Sequence, residues 1–152
     1  MRYLFLVLIL LVTISSMAKN TDITDVKVTS VYDGDTFRVI LPCTLPVVCD
    51  YISVRVEGVD APEFNTKDSC EKKKAKEAKL FTRQFLNKGP VTLRHCRKDK
   101  YFRLLCAVFV IDSETKMEHN LTTALLNANL AVPYEGEKKS KYNWCGVKPT
   151  PK

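Results

Sequence analysis

The 152 residues contain only two histidines, His95 and His119, and no two of the six cysteines stand as Cys-x-x-Cys. Neither the histidines nor the cysteines sit at the spacing of a zinc ligand set, which argues against a structural zinc site. No apolar run is long enough to cross a bilayer as a helix; the longest, Leu4 to Ile14, is about 11 residues against the roughly 20 required. Internal repeats and low-complexity tracts are also missing, and the chain reads as one globular domain behind a short leader. Acidic side chains are the minority, 17 against 24 basic.

The leader occupies residues 1–18. Arg2 supplies its positive start, Leu4 to Ile14 its apolar stretch, and Ser16-Met17-Ala18 a small-x-small cleavage site. Cleavage there leaves a single domain, 19–152, large enough for a real core, with no stable membrane insertion. The expected destination is the periplasm or the medium. Losing Arg2 takes the net charge from +7 to +6, a balance that suits polyanions such as nucleic acid or anionic envelope surfaces. All six cysteines follow the leader, and an even number in an exported chain reads as disulfides. Asn120-Leu121-Thr122 is a glycosylation sequon, relevant only to a eukaryotic source.

Val26 to Ile40 reads as two strands around the turn Tyr32-Asp33-Gly34-Asp35. Asp-Gly is also a common hairpin turn without chemistry, so the tetrad alone is weak evidence of a site. Leu41 to Asp50, with two prolines, reads as a loop stapled across its base by Cys43–Cys49. Asp68 with Glu71 is a capping-box pattern that starts a helix from about Cys70 to Lys88. The apolar side of that helix is Ala75, Ala78, Phe81, Phe85 and Leu86, and Lys72, Lys73, Lys74, Lys76 and Lys79 cover the other face. Gly89-Pro90 ends it. Val91 to Cys96 and Leu104 to Ile111 form a hairpin around the charged turn Arg97 to Tyr101. Cys96 and Cys106 flank residue 101 symmetrically, so they could pair across the two strands. Leu121, Ala124, Leu125 and Ala128 predict a second helix over His119 to Ala128, with Asn129 as its left-handed cap. Tyr134, Trp144 and Cys145 give the tail to Lys152 anchoring material.

The stretch with most chemistry is Arg55-Val-Glu-Gly-Val-Asp-Ala-Pro-Glu63. Ile52, Val54 and Val56 alternate with Ser53, Arg55 and Glu57 as a strand. Gly58 and Pro62 break the pattern, so Asp60 and Glu63 leave on a constrained turn. One cation and two carboxylates at the end of a rigid element suit a metal and a phosphate. An ordinary strand with a wet face gives the same pattern.

Strand runs interleaved with helices fit an α+β, mainly β architecture: a five-stranded OB-fold Greek-key barrel. Three charged motifs sharpen this. Asp33-Gly34-Asp35-Thr36, Arg55 through Val59-Asp60-Ala61-Pro62-Glu63, and Asp99-Lys100-Tyr101-Phe102-Arg103 together resemble the staphylococcal-nuclease (thermonuclease) family, in the family's order. Leu130 to Tyr134 resembles its last segment, and the resemblance spans about Val26 to Tyr134.

The resemblance implies the OB-fold barrel with two to three helices, the C-terminal one shortened. It also implies a Ca²⁺-dependent phosphodiesterase, expected to be a monomer, acting on DNA and RNA in single-stranded or frayed form and leaving 3′-phosphates. Asp35 and Asp60 fall on calcium-ligating positions, with Ala61 offering its backbone carbonyl. Glu63 falls on the position that handles the attacking water, Arg55 and Arg103 on the phosphate-binding arginines. Lys100 and Tyr101 match substrate-phosphate contacts and Tyr134 a nucleotide-stacking residue. Hard oxygen ligands suit calcium, and guanidinium forks suit the charge that builds on phosphoryl oxygens.

Departures are Ala61 for a common Thr, Phe102 for a common Gly, a longer loop at 41–50, and a shortened C-terminal helix. Cys70–Cys145, one of 15 possible pairing sets' members, could stand in for that helix. The rival reading is a non-catalytic OB-type module that binds nucleic acid or an anionic surface.

Overall fold

The computed structural model describes residues 22–43, 46–136 and 142–146. The leader at 1–18 lies outside the described residues, as does part of the tail. Strands β1 (Ile23–Val31) and β2 (Thr36–Ile40) form the first hairpin, with Val31 opposite Phe37 and Val28 opposite Val39. β3 (Ile52–Val56) pairs antiparallel with β2, placing Arg55 opposite Thr36. β5 (Val91–Lys98) pairs with β1 on one side and with β6 (Leu104–Ile111) on the other. β6 then runs parallel to β3, Arg55 against Leu105, and closes a five-stranded mixed barrel. Closure leaves these strands without the open edges of a flat sheet. The expected α+β OB-fold barrel is what forms. β7 (Glu118–Asn120) extends the sheet beside β6, and β4 (Val59–Asp60) pairs with β8 (Val132–Pro133) as a small separate ladder.

The interior follows the period-two pattern. Phe37 and Val39 of β2, Val54 and Val56 of β3, Leu93 of β5, and Val108 and Val110 of β6 are buried. Each such side chain contributes roughly 1.5–3 kcal/mol when fully removed from water. Helix α2 (Ser69–Leu86) packs against β1 and against α3 (Leu121–Asn127), burying Ala75, Ala78, Thr82, Phe85 and Leu86. Phe81 is only half-buried, and Thr82 takes the inner position because its hydroxyl donates to the Gly34 carbonyl at 2.6 Å. A polar side chain is tolerated there because its one donor is satisfied.

Several boundaries differ from expectation for local reasons. The 41–50 loop contains a four-residue helix, α1 (Pro46–Cys49), held at its end by the Leu41 N–H donating to the Cys49 carbonyl. His119 belongs to β7; α3 starts only at Leu121, where the Asn120 side chain accepts the Thr123 N–H as N-cap. α2 starts one residue early and ends two early, at Leu86, with Asn87 as its C-cap. β5 continues past Cys96 to Lys98, so Arg97 sits on a strand beyond a bulge at which His95 adopts φ +54°. Asn129 does take the left-handed conformation, φ +54°.

All three disulfides read from the sequence are present, Cys43–Cys49, Cys70–Cys145 and Cys96–Cys106. Among the described residues no helix is long and apolar enough to cross a membrane. The described residues after α3, 128–136 and 142–146, carry no further helix, and the rest of the tail, where the expected shortening falls, lies outside the described residues.

Candidate active site

Four carboxylates and two guanidiniums meet at the mouth of the barrel. The turn between β1 and β2 folds on its own side chains: the Asp35 N–H donates to Asp33 Oδ1 at 3.0 Å, and the Tyr32 and Asp33 N–H groups donate to the Thr36 carbonyl. Its far side is fixed to β3 by the Val56 N–H, which donates to the Asp35 carbonyl at 2.8 Å. Gly34 is required here by space. A Cβ on it would lie 2.7 Å from Ala78 Cβ and 2.8 Å from Ala61 Cβ. Gly34→Ala is therefore expected to cost about 1–3 kcal/mol through overpacking and to displace Asp35, measured as a lower urea midpoint together with lower activity.

Asp35 is buried, 4 % exposed. Its Oδ2 accepts the Ala61 N–H at 2.6 Å, and its Oδ1 accepts the Thr36 hydroxyl at 3.0 Å and pairs with Arg55 Nη1. Arg55 Nη2 donates to Asp60 Oδ1 and to the Val59 carbonyl, both at 3.0 Å. The wet strand face allowed by alternation is thus not what forms: Arg55 is 6 % exposed, because a carboxylate from another hairpin covers it. Burial pulls its guanidinium below the ordinary value, while Asp60 and Asp33 push it back up; it stays cationic. Burial also raises Asp33, with Arg55 opposing and the Glu63 carboxylate adding to the rise.

The second guanidinium comes from the β5–β6 turn. Asp99 organises that turn, accepting the Tyr101 N–H at 2.8 Å, the Arg103 N–H at 2.9 Å and Arg103 Nε at 2.8 Å. Phe102, where the resembled family commonly has Gly, takes φ +62°, the conformation a glycine adopts without strain. Its ring is 80 % exposed and lies under Lys98 Nζ, so it stands outside the cleft and leaves Arg103 over the Tyr101 ring at 5.2 Å. Burial pushes Asp99 up, but the hydrogen bonds from Arg103 and Tyr101 outweigh it and leave the carboxyl below its usual range. A depressed carboxylate stabilises at pH above its unfolded value and loses that contribution as pH falls through the folded one. Asp99→Asn is expected to remove this acid-side dependence and to lower activity about tenfold by loosening Arg103; pH-dependent unfolding and steady-state rates check both.

A cleft of about 690 Å³ is lined by Asp35, Arg55, Glu63, Lys100, Tyr101, Arg103 and Tyr134. Asp60 and Ala61 are not among its lining residues but are tied to two that are, Asp60 to Arg55 and Ala61 to Asp35. The structure therefore brings all nine expected site residues to one place. Glu63 is exposed and its N–H donates to Glu71 Oε1 at 3.2 Å. The capping box is only half-formed as a result: Asp68 accepts the Cys70 and Glu71 N–H groups, but Glu71 turns away to hold the Glu63 turn. Asp99 and Glu71 are the positioning residues that sequence reasoning passed over. The signal for Asp99 was its place four residues before Arg103 across a tight turn.

No group of three His, Cys, Asp or Glu side chains arranged to hold a metal occurs among the described residues. The donor chemistry nonetheless fits a hard cation. Asp35 and Asp60 are drawn to one guanidinium, and two carboxylates so placed are the oxygen donors that would hold such an ion.

The fold and site define an OB-fold barrel with a cleft of carboxylates and guanidiniums at its mouth. The staphylococcal nuclease homologue family matches residues 53–145, more than half of the chain, and the chain belongs to that family. The turn carrying Asp35 precedes the matched span. A probable endonuclease, lcl3, of Penicillium rubens is 28% identical over 137 residues, covering 76% of this chain and 47% of that protein. The chain spans about half the length of that curated relative.

Proposed function

We propose that this protein is an exported, Ca²⁺-dependent nuclease that hydrolyses phosphodiester bonds of DNA and RNA and leaves 3′-phosphate ends. The observation that carries the reading is the convergence of Arg55 and Arg103 with Asp35 and Glu63 in one cleft, with Asp60 paired to Arg55. Membership of the nuclease-homologue family and the similarity to a probable endonuclease support it. Six cysteines held as three disulfides suit an oxidising compartment, in keeping with the leader read from residues 1–18.

In this reading Asp35, Asp60 and the Ala61 carbonyl would hold a calcium ion, which would supply Lewis-acid polarisation of the phosphodiester. Glu63 takes a proton from water as the water oxygen bonds to phosphorus. The bond to the 5′-oxygen breaks, and that oxygen leaves with a proton from solvent. Arg55 and Arg103 present fixed forks to the charge building on the equatorial oxygens. Lys100 and Tyr101 hold the substrate phosphate and Tyr134 stacks on a base.

A Glu63→Ala variant tests the reading against a module that only binds. It is expected to retain oligonucleotide binding while cleavage falls on the order of 10²–10³-fold, as for other removed transition-state groups. Equal behaviour of variant and parent, neither cleaving, favours the binder.

A further inference from the structure

The cleft continues past the two arginines. Along β2 and β3 its wall is made by Tyr32, Arg38 and Ser53, none of which has a part in the reaction above. Tyr32 follows β1 and is 67 % exposed. Arg38 lies on β2 between Ser30 and Ser53. Its guanidinium, like that of Arg83 on α2, makes no ion pair with any described residue, whereas Arg55, Arg94, Arg97 and Arg103 are all paired. It projects on the same side of the strand as Thr36, roughly 6–7 Å further along. The β5–β6 turn that carries Lys100 and Tyr101 lies across β3 from β2, and Tyr134 lines the same cleft. An aromatic ring and a cation therefore stand on each side of β3, the strand that carries Arg55.

We infer that Tyr32 and Arg38 form a second nucleotide subsite for a single-stranded polynucleotide, stacking a base and pairing with the phosphate next to the scissile one. The inference rests on the nuclease reading and adds to it: the substrate is an interior stretch of a strand, with a nucleotide held on each side of the bond that breaks. A stacked ring reads any base through its π-face and needs that base unpaired. The adjacent phosphate meets a guanidinium with no competing carboxylate. A mononucleotide ester, filling only the Tyr101–Tyr134 side, has no use for either side chain.

The experiment compares kcat/KM on a single-stranded oligothymidylate with kcat/KM on the nitrophenyl ester of a single nucleotide. Tyr32→Ala is expected to reduce the preference for the oligonucleotide about tenfold, the usual weight of one stacked base, and Tyr32→Phe to retain it. Arg38→Ala is expected to reduce the slope of log affinity against log salt by about 0.7 for the oligonucleotide. Both residues are exposed, so the folded state is expected to tolerate the changes; circular dichroism checks this. A preference within twofold of the parent in Tyr32→Ala overturns the subsite. If the parent cleaves neither substrate, the nuclease reading fails. Oligothymidylate binding by the parent against Tyr32→Ala still decides the subsite, equal affinities rejecting it.

Discussion

Arg55→Met is expected to lower stability by about 3–5 kcal/mol, the usual result of removing one partner of a buried ion pair. Cleavage is expected to fall on the order of 10²–10³-fold. The stability loss follows from what the guanidinium leaves behind. Asp35, 4 % exposed, keeps only the Thr36 hydroxyl and the Ala61 N–H, both neutral donors. Asp60 loses its 3.0 Å partner and the Val59 carbonyl its donor. For a chain of this size the melting temperature should drop by about 10 °C or more. Calcium is expected to restore more stability to the variant than to the parent. An ion that binds only the folded state stabilises by about 2.7 kcal/mol at a hundred times its Kd, and in the variant it no longer competes with the guanidinium for the two carboxylates. Thermal unfolding with and without calcium, and rates measured at a temperature where the variant is folded, separate the two effects. A variant as stable as the parent would contradict the buried pairing.

Removing the Cys70–Cys145 bond by paired serine substitutions should cost about 4–5 kcal/mol, against about 2–3 kcal/mol for either of the other disulfides. The difference comes from loop length. This bond closes a separation of 75 residues, while Cys96–Cys106 closes 10 and Cys43–Cys49 closes 6. Its position adds a functional consequence. Cys70 lies in the first turn of α2, one residue from Glu71, whose carboxylate holds the Glu63 N–H. Loosening that turn frees Glu63, so the variant should also lose more activity than the Cys43–Cys49 variant does. Urea unfolding midpoints and specific activity give both comparisons. A Cys70/Cys145 variant no less stable than the Cys43/Cys49 variant would reject this ranking.

The site was legible in the sequence because an OB barrel converts order along the chain into proximity. β2, β3 and β6 are neighbours, so the turns and strand ends that carry Asp35, Arg55 and Arg103 fall at one mouth. Cys43–Cys49 and Cys96–Cys106 were legible from their places at the base of one loop and across one hairpin, whereas Cys70–Cys145 belonged to one of 15 possible pairing sets and was suggested by the family resemblance. What stayed hidden depends on long-range contact. Alternation placed Arg55 on a wet face because it knows only one strand, and the carboxylate that buries Arg55 arrives from residue 35. Glu71 carries the capping-box pattern, yet a backbone N–H eight residues earlier competes for its carboxylate. His119 fits a helical period, but pairing with Val110 at the sheet edge holds it extended until Asn120 caps α3. The inward turn of Thr82 depends on the Gly34 carbonyl, 48 residues away.

The most direct test of the site as a calcium-dependent phosphodiesterase is cleavage of a 5′-labelled single-stranded DNA by the purified protein. Cleavage is expected in millimolar calcium, abolished by chelator and restored by added calcium, with products that a polymerase extends only after phosphatase treatment. An intact strand in millimolar calcium, from protein shown to be folded with its three disulfides formed, would contradict it.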